Sequence, residues 1–503
     1  MVIKIPNNIR KIVDNANGTE WYIKYRWNIK FTFYAKNKTG GNIAKTIVPK
    51  FIRYIQKICD YENAIFPIYR IVCEIEDKYH KLLYEYRNKA LCVVKLTKEI
   101  YKASEIASDG GFGRAKPEYK EKEFSETFIP FFHGLNAEYM DEDKSVDIES
   151  TTEPKNNELS DGAFHTVTVE LNHFGTESMN KKIYNLNVAN AEPMDVVGLL
   201  LSKDYANVDG ALIDAPDNAN SYPYIVIPPR NLRNALHWIQ NQWGLYLNRP
   251  IFFCDLKFFY VLKSTYLDHE YLEGEVQTTR VLIRTNPTQT GHTPNVSYVE
   301  SEKDAFYYYT DQVPKKDTES SQLSEIIADK TVISNFDLAN NAVDVSQTKS
   351  GDKATTKDPV IVADAPLEQH EQSSKKISSE YDSTNNLYNA IANNRHAKRQ
   401  GYMIINVNGI DIRSFTPNKQ VSLKVVDNKG VAARIDNNYC IRGVAYTFTP
   451  IDMNADTWLM TCSANVSLVR GFDLETSQYS ANKGSILDLN NIGKTTPSYK
   501  TLK

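Results

Sequence analysis

Residues able to do chemistry are plentiful in this chain, but none falls in a spacing that a reaction requires. Gly110, Gly111 and Gly113 flank Phe112 just ahead of Arg114. A phosphate cradle uses such glycines so that backbone N–H groups can approach the anion, and it adds a Lys-Ser/Thr pair at a helix start. That pair is missing and no strand precedes the glycines, so the run reads as a flexible loop. His165 and His173 lie eight apart, which places both on one face of a continuous strand. A metal site needs further ligands at closer spacing, and Asn172 with Gly175 signals a turn instead. Among 62 acidic residues, carboxylate pairs for glycoside hydrolysis can always be found. Those within 138–161 stand in a polar stretch without the apolar pocket that raises one pKa. No Gly-x-Ser-x-Gly elbow and no HExxH helix occurs, which removes the usual signatures of acyl transfer and zinc hydrolysis. His237-Trp238 sits on a helix and reads as packing or as a satisfied surface histidine. Residues 393–399 (NNRHAKR) form the one notable basic cluster; lacking interleaved aromatics, it suits an acidic protein surface as well as nucleic acid. The sequence thus assigns no catalytic, cofactor-binding or metal-ligating residue, no cofactor, and no enzymatic activity.

Composition narrows the classes further. A chain of 503 residues can bury several cores, and its length suits two to four domains. A formal charge of −3 advertises neither nucleic acid nor an acidic solubilising shell. Tyrosine is abundant at 31 residues. Protein interfaces favour Tyr because it packs while keeping a polar tip, and a low-GC genome enriches it too. Cys59, Cys73, Cys92, Cys254, Cys440 and Cys462 are scattered through apolar stretches without a framework, which implies folding in a reducing compartment. The amino terminus lacks a continuous apolar signal region and no run reaches transmembrane length, so the expectation is a soluble, cytoplasmically made protein without membrane contact.

The elements that must position any site are mainly strands. Residues 20–36 alternate, with Ile29, Phe31 and Phe33 on one face and Lys30, Thr32 and Tyr34 on the other. Residues 43–60 carry helical spacing at Ile47, Phe51, Tyr54, Ile55 and Ile58. Residues 67–76 and 89–100 return to β character, and 103–160 loosens into an exposed, mobile excursion. Strands are expected at 164–171 and 183–189, and a short helix at 192–201. Tyr224 to Ile227 reads as a strand stopped by Pro228-Pro229. A helix follows with Leu232, Ala235, Leu236, Ile239 and Trp243 in one stripe and Gly244 as its C-cap. Residues 245–247, 251–262 and 275–285 read as strands. The stretch 286–394 is too polar for a core and reads as an insertion or arm. Beyond it, Tyr402 to Val407, an Asn408-Gly409 hairpin turn, Ile410 to Ile412, Val421 to Val425, Val431 to Ile435, 439–449 and 457–468 spell a small antiparallel barrel.

Two of these stretches resemble the baseplate hub protein of contractile-tailed bacteriophages. The first carries Ile227, Pro228, Pro229, Asn231, Leu232, Trp243, Gly244, Tyr246, Asp255, Phe259 and Tyr260; the second carries Ile404 to Ile412, Pro417 and Val421 to Val425. Together they cover 160–285 and 395–470. The resemblance implies a β-rich α+β fold, with two tube-like antiparallel β-barrel domains, an intervening α/β domain and a long polar insertion. The boundaries it implies are 1–190 for the first barrel, with the excursion near 103–160, and 191–285 for the middle domain. The insertion is 286–394, the second barrel 395–475, and a tail 476–503. It further implies a homotrimer in the virion baseplate, assembled in the host cytoplasm and matching a threefold spike to a sixfold tube. The partners would be the central spike protein, the tail tube or tube-initiator ring, and baseplate wedge proteins, with genomic DNA only in transit. The competing reading is a tail-associated cell-wall hydrolase or carbohydrate-binding tail protein.

Overall fold

The computed structural model describes residues 21–36, 40–102, 106, 115–133, 164–173, 182–202, 210–246, 248–255, 258–264, 269, 278–284, 305–310, 315–316, 331–337, 342–346, 360–362, 402–427, 430–432, 438–454, 456–470, 485–487 and 500–501. Strands β1 (Trp21–Lys36), β2 (Asn42–Ile47), β3 (Phe51–Asp60) and β4 (Ile68–Glu76) lead to a short helix, α1 (His80–Tyr86). Next come β5 (Ala90–Lys102), β6 (Tyr119–His133), β7 (Phe164–His173), β8 (Tyr184–Ala191) and helix α2 (Pro193–Leu201). The middle of the chain holds β9 (Gly210–Ile213), β10 (Tyr222–Arg230), helix α3 (Leu232–Gln242), β11 (Pro250–Asp255) and β12 (Phe258–Lys263). After β13 (Thr278–Arg284) and β14 (Ala305–Thr310) come β15 (Tyr402–Asn408), β16 (Gln420–Asp427), β17 (Asn438–Asn454) and β18 (Thr457–Arg470).

Eight strands close into a ring in the order β17-β3-β4-β7-β6-β5-β1-β18, and β18 pairs back to β17. Every neighbouring pair is antiparallel. Closure leaves no open edge, and a ring of this size has room inside only for side chains. Alternation supplies them: Ile23, Tyr25, Trp27, Ile29, Phe31 and Phe33 all point inward from β1 and are buried. The barrel is a packed core, not a pore.

A second ring grows from the same hairpin. β13 pairs in parallel with β14 and with β16, and β16 pairs with the first residues of β17. On the other side β18 pairs with β15, whose Ile404 stands opposite Lys315, just beyond β14. The hairpin is divided between the rings. β17 pairs with β3 over Gly443 to Phe448, while β18 pairs with β1 over Trp458 to Met460 and with β15 over Ser463 to Val469. At the changeover a Cβ on Gly443 would stand 3.0 Å from the Cys59 carbonyl, so a side chain there would press on the β3 backbone. One continuous apolar core runs through both rings, from Phe31 to Val281 and Leu423.

The middle module has a core of its own. Helix α2 starts with Pro193 and a reciprocal Glu192–Asp195 capping box. Helix α3 is capped by Asn231, whose side chain accepts from the Asn234 N–H at 3.0 Å, and it ends at Gly244 with φ +74°. Leu200, Leu232, Leu236 and Ile239 pack on β9, β11, β12 and the two-stranded β8–β10 sheet.

The fold is β-rich α+β with tube-like barrels, as the resemblance implied, but several elements differ. Residues 43–60 are strands β2 and β3, not a helix. The register shifts between Ile52 and Tyr54, and this bulge breaks the period of two, so that inward Ile52 and Ile55 fall three apart and imitate a helical stripe. The excursion at 103–160 contains β6, a wall strand of the first ring, disguised because Glu121 and Glu123 stand among its inward residues. Pro228 and Pro229 do not end β10; it continues to Arg230 across an irregularity where they provide no donors. Leu245 and Tyr246 form no strand, since their N–H groups bond to the Gln240 side chain. Asn408-Gly409 turns, with Gly409 at φ +63°, but the chain beyond does not return along β15. Within 286–394, Ala305 to Thr310 joins the second ring and buries Tyr308 completely.

Candidate functional site

The segment after Gly409 is irregular in backbone and buried. Residues 410–419 enter the space between the two rings as a plug, and Ile410, Ile412 and Phe415 are buried there. Irregular backbone in a core must find partners for its N–H and C=O groups. Tyrosines provide them. Tyr25 accepts from the Ile412 N–H at 2.8 Å, Tyr446 donates to the Ile412 carbonyl at 2.8 Å, and Tyr61 donates to the Phe415 carbonyl at 2.9 Å. These three hydroxyls come from β1, β17 and the end of β3 in the first ring. The second ring holds the plug from the other side: Tyr308 accepts from the Asp411 N–H at 3.1 Å and bonds the Ser414 hydroxyl, while Thr279 donates to the Ser414 carbonyl.

Charge reinforces the same junction. Lys98 of β5 points inward and places Nζ 3.0 Å from Asp411 and 2.9 Å from Glu121. Arg413 reaches Asp411 at 3.3 Å and Glu121 at 3.2 Å. Burial would raise the Asp411 carboxyl, but Arg413 and Lys98 outweigh it and hold the group well below the usual carboxylate range. Burial pushes the neighbouring Glu123 up, and the same two cations offset only part of that rise. Such a network locks geometry strongly, because removing one partner strands the others without water.

A further buried pair ties the middle module to the first ring. Lys57 of β3 donates to both carboxylate oxygens of Asp255 at 2.7 Å. Burial alone would lower the lysine pKa; the Asp255 carboxylate reverses this and raises it above its ordinary value. Tyr61 meets Phe253 edge to face, with centroids 4.4 Å apart, and Arg442 bonds Glu62 at 2.7 Å.

The opposite rim of the first ring is apolar inside and out. Inside, Phe132 packs on Phe31 and Phe33 with centroids 5.4 and 5.9 Å away. Outside, Tyr34, Phe51, Phe131, Phe164, Ile451 and Met453 are exposed, all within three residues of their strand ends at this rim. A collar of this kind suits contact with another protein surface.

The residues singled out by chemistry do not converge. His165 bonds Asp77, whereas His173 stacks on Phe66 at 5.0 Å and faces Glu126, so the two histidines serve different contacts. His237 lies on α3 edge-on to Phe252, and burial lowers its pKa to about 4. All six cysteines are buried and unbridged. Residues 110–114, 138–161 and 393–399 lie outside the described residues. Among the described residues no group of three or more His, Cys, Asp or Glu could hold a metal ion, and no helix is long and apolar enough to cross a membrane. The plug escapes sequence reading because Ile410 to Ile412 reads as the returning strand of a hairpin and Pro417-Asn418 as the loop after it; inward Lys57, Lys98 and Glu123 are the hint that something charged must enter the barrel.

The fold and junction together define a β-scaffold protein built on two rings that share a hairpin. Residues 19–469 match the model of the bacteriophage PBS1 gene 109 protein family, and the chain belongs to that family. A search of the curated proteins found no match. Among solved structures, the chain is similar to a tail protein from Neisseria meningitidis MC58, with 10% identity and a TM-score of 0.39, over 88% of this chain and 96% of that one. It is similar to the 43 kDa tail protein of prophage MuSo2 from Shewanella oneidensis, with 10% identity and a TM-score of 0.38, over the same shares of 88% and 96%. The E. coli c3393 protein, a component of the type VI secretion system, gives 10% identity and a TM-score of 0.35, over 87% of this chain and 78% of that one. At these scores the likenesses carry no argument about function.

Proposed function

We propose that this chain is a structural protein of a phage tail, and specifically the baseplate hub of a contractile tail. The observation that supports this reading is the pair of tube-like β-rings built by one chain on a shared hairpin. A trimer of such chains presents six rings, which matches a threefold spike on one side to a sixfold tube on the other. Adapting symmetry needs both rings of a chain held at a fixed angle, and the plug with its buried charges provides that rigidity. It requires no catalytic group. Because the first ring is filled by its own side chains, DNA would pass along the axis between rings, not through one of them. The apolar rim of the first ring suits stacking on the tail tube or its initiator ring. On this reading the middle module, from α2 to β12, faces the spike and wedge proteins. Membership of a phage protein family agrees with a place in the virion, assembled in the host cytoplasm.

Light scattering with negative-stain microscopy tests the proposal. A trimeric ring of roughly 172 kDa, three times the 57.3 kDa chain, is the expected species, alone or with spike and tube proteins added. A chain that stays monomeric with both partners present removes the hub.

A further inference from the structure

The charges at the plug junction do not balance. Two cations, Lys98 and Arg413, face three carboxylates, Asp411, Glu121 and Glu123. Asp411 and Glu121 each lie within 3.3 Å of both cations. Glu123 is left with a single approach, 3.8 Å from Lys98, although its side chain is only 3% exposed. Its Oε1 accepts no hydrogen bond. The other titratable groups turned on the cluster are Tyr25 of β1, Tyr119 of β6, Tyr308 of β14, Tyr446 of β17 and Cys462 of β18. They are hydroxyls and a thiol and bring no positive charge. A third buried carboxylate without a counter-ion costs far more than placing a proton on it.

The geometry points to a proton on Glu123 as the missing charge: the junction is a proton-binding site, and the grip of the two rings on the plug responds to pH. Burial raises the Glu123 pKa, so the stabilisation is fully present below the ordinary glutamate range and is lost as pH rises through the junction's own value. Asp411 runs the other way, its contribution being lost as pH falls below the ordinary aspartate range. The junction is therefore tightest between the two. This holds for the folded chain whether or not it serves as a hub.

Urea unfolding of the full chain from about pH 5 to about pH 9 compares wild type with Glu123→Gln. Between the ordinary glutamate range and the junction's own value, where only the folded chain keeps the proton, the wild-type unfolding constant rises by up to about tenfold per pH unit, and the variant lacks that rise. Equal slopes overturn the proposal. Infrared spectra give a second test that survives a variant that fails to fold. A protonated carboxyl band is expected in the wild type at about pH 5, just above the ordinary glutamate range, retained in Glu121→Gln and lost on raising the pH. Its absence from the wild type overturns the assignment.

Discussion

The two ends of the first ring solve the same problem by opposite means. At one rim the wall closes itself, with Phe31, Phe33 and Phe132 meeting across the interior. At the other the wall stays open to a foreign segment, and Tyr25, Tyr61, Tyr446, Lys98 and Glu121 receive the plug's backbone and charges. Aromatic closure is tolerant in one respect: trimming a ring loses apolar area and leaves a cavity, but it strands no polar group. The plugged end is exacting, because each removed partner leaves another group buried and unsatisfied. The molecule keeps its tolerant end free for contact and uses its exacting interactions to fix one ring to the next.

Substitutions can break or sharpen this contrast. Lys98→Met should destabilise the chain by about 3–5 kcal/mol in urea unfolding, since Asp411 and Glu121 lose a buried cation. Phe31→Ala, at the aromatic end, should cost about 3–4 kcal/mol by the same measurement, and it should leave the pH dependence unchanged. Tyr446→Phe keeps the ring but abandons the Ile412 carbonyl, for about 1–3 kcal/mol and faster hydrogen exchange in the plug. Tyr34→Ser on the exposed collar should change stability by no more than about 0.5 kcal/mol, yet weaken assembly measured by sedimentation. A collar variant that assembles normally would separate that rim from any partner.

What is legible in the sequence follows from locality. Strands with plain alternation, such as β1 and β7, and helices with caps, such as α3, show in their own residues. Bulged β3 and charge-bearing β6 do not, because their patterns make sense only beside distant partners: Lys57 needs Asp255 and Glu121 needs Arg413. The Asn408-Gly409 pair reads correctly as a turn and wrongly as the tip of a hairpin. Local turn chemistry fixes where the chain bends, whereas the inward destination of Ile412 is set by tyrosines as far away in sequence as Tyr25. The junction could not be assembled from contiguous stretches.

The shared hairpin also dictates when the protein can become itself. Strand β1 lies 431–435 residues from its partners in β18, and β3 lies 383–393 residues from its partners in β17. At about 5–20 residues per second, a ribosome needs roughly 20–80 s to reach the hairpin after releasing β3. During that interval both strands present open edges, the condition that invites pairing between nascent chains on one messenger. Yield would then be governed by translation speed and by chaperones that shield those edges, before any contact with a partner is made.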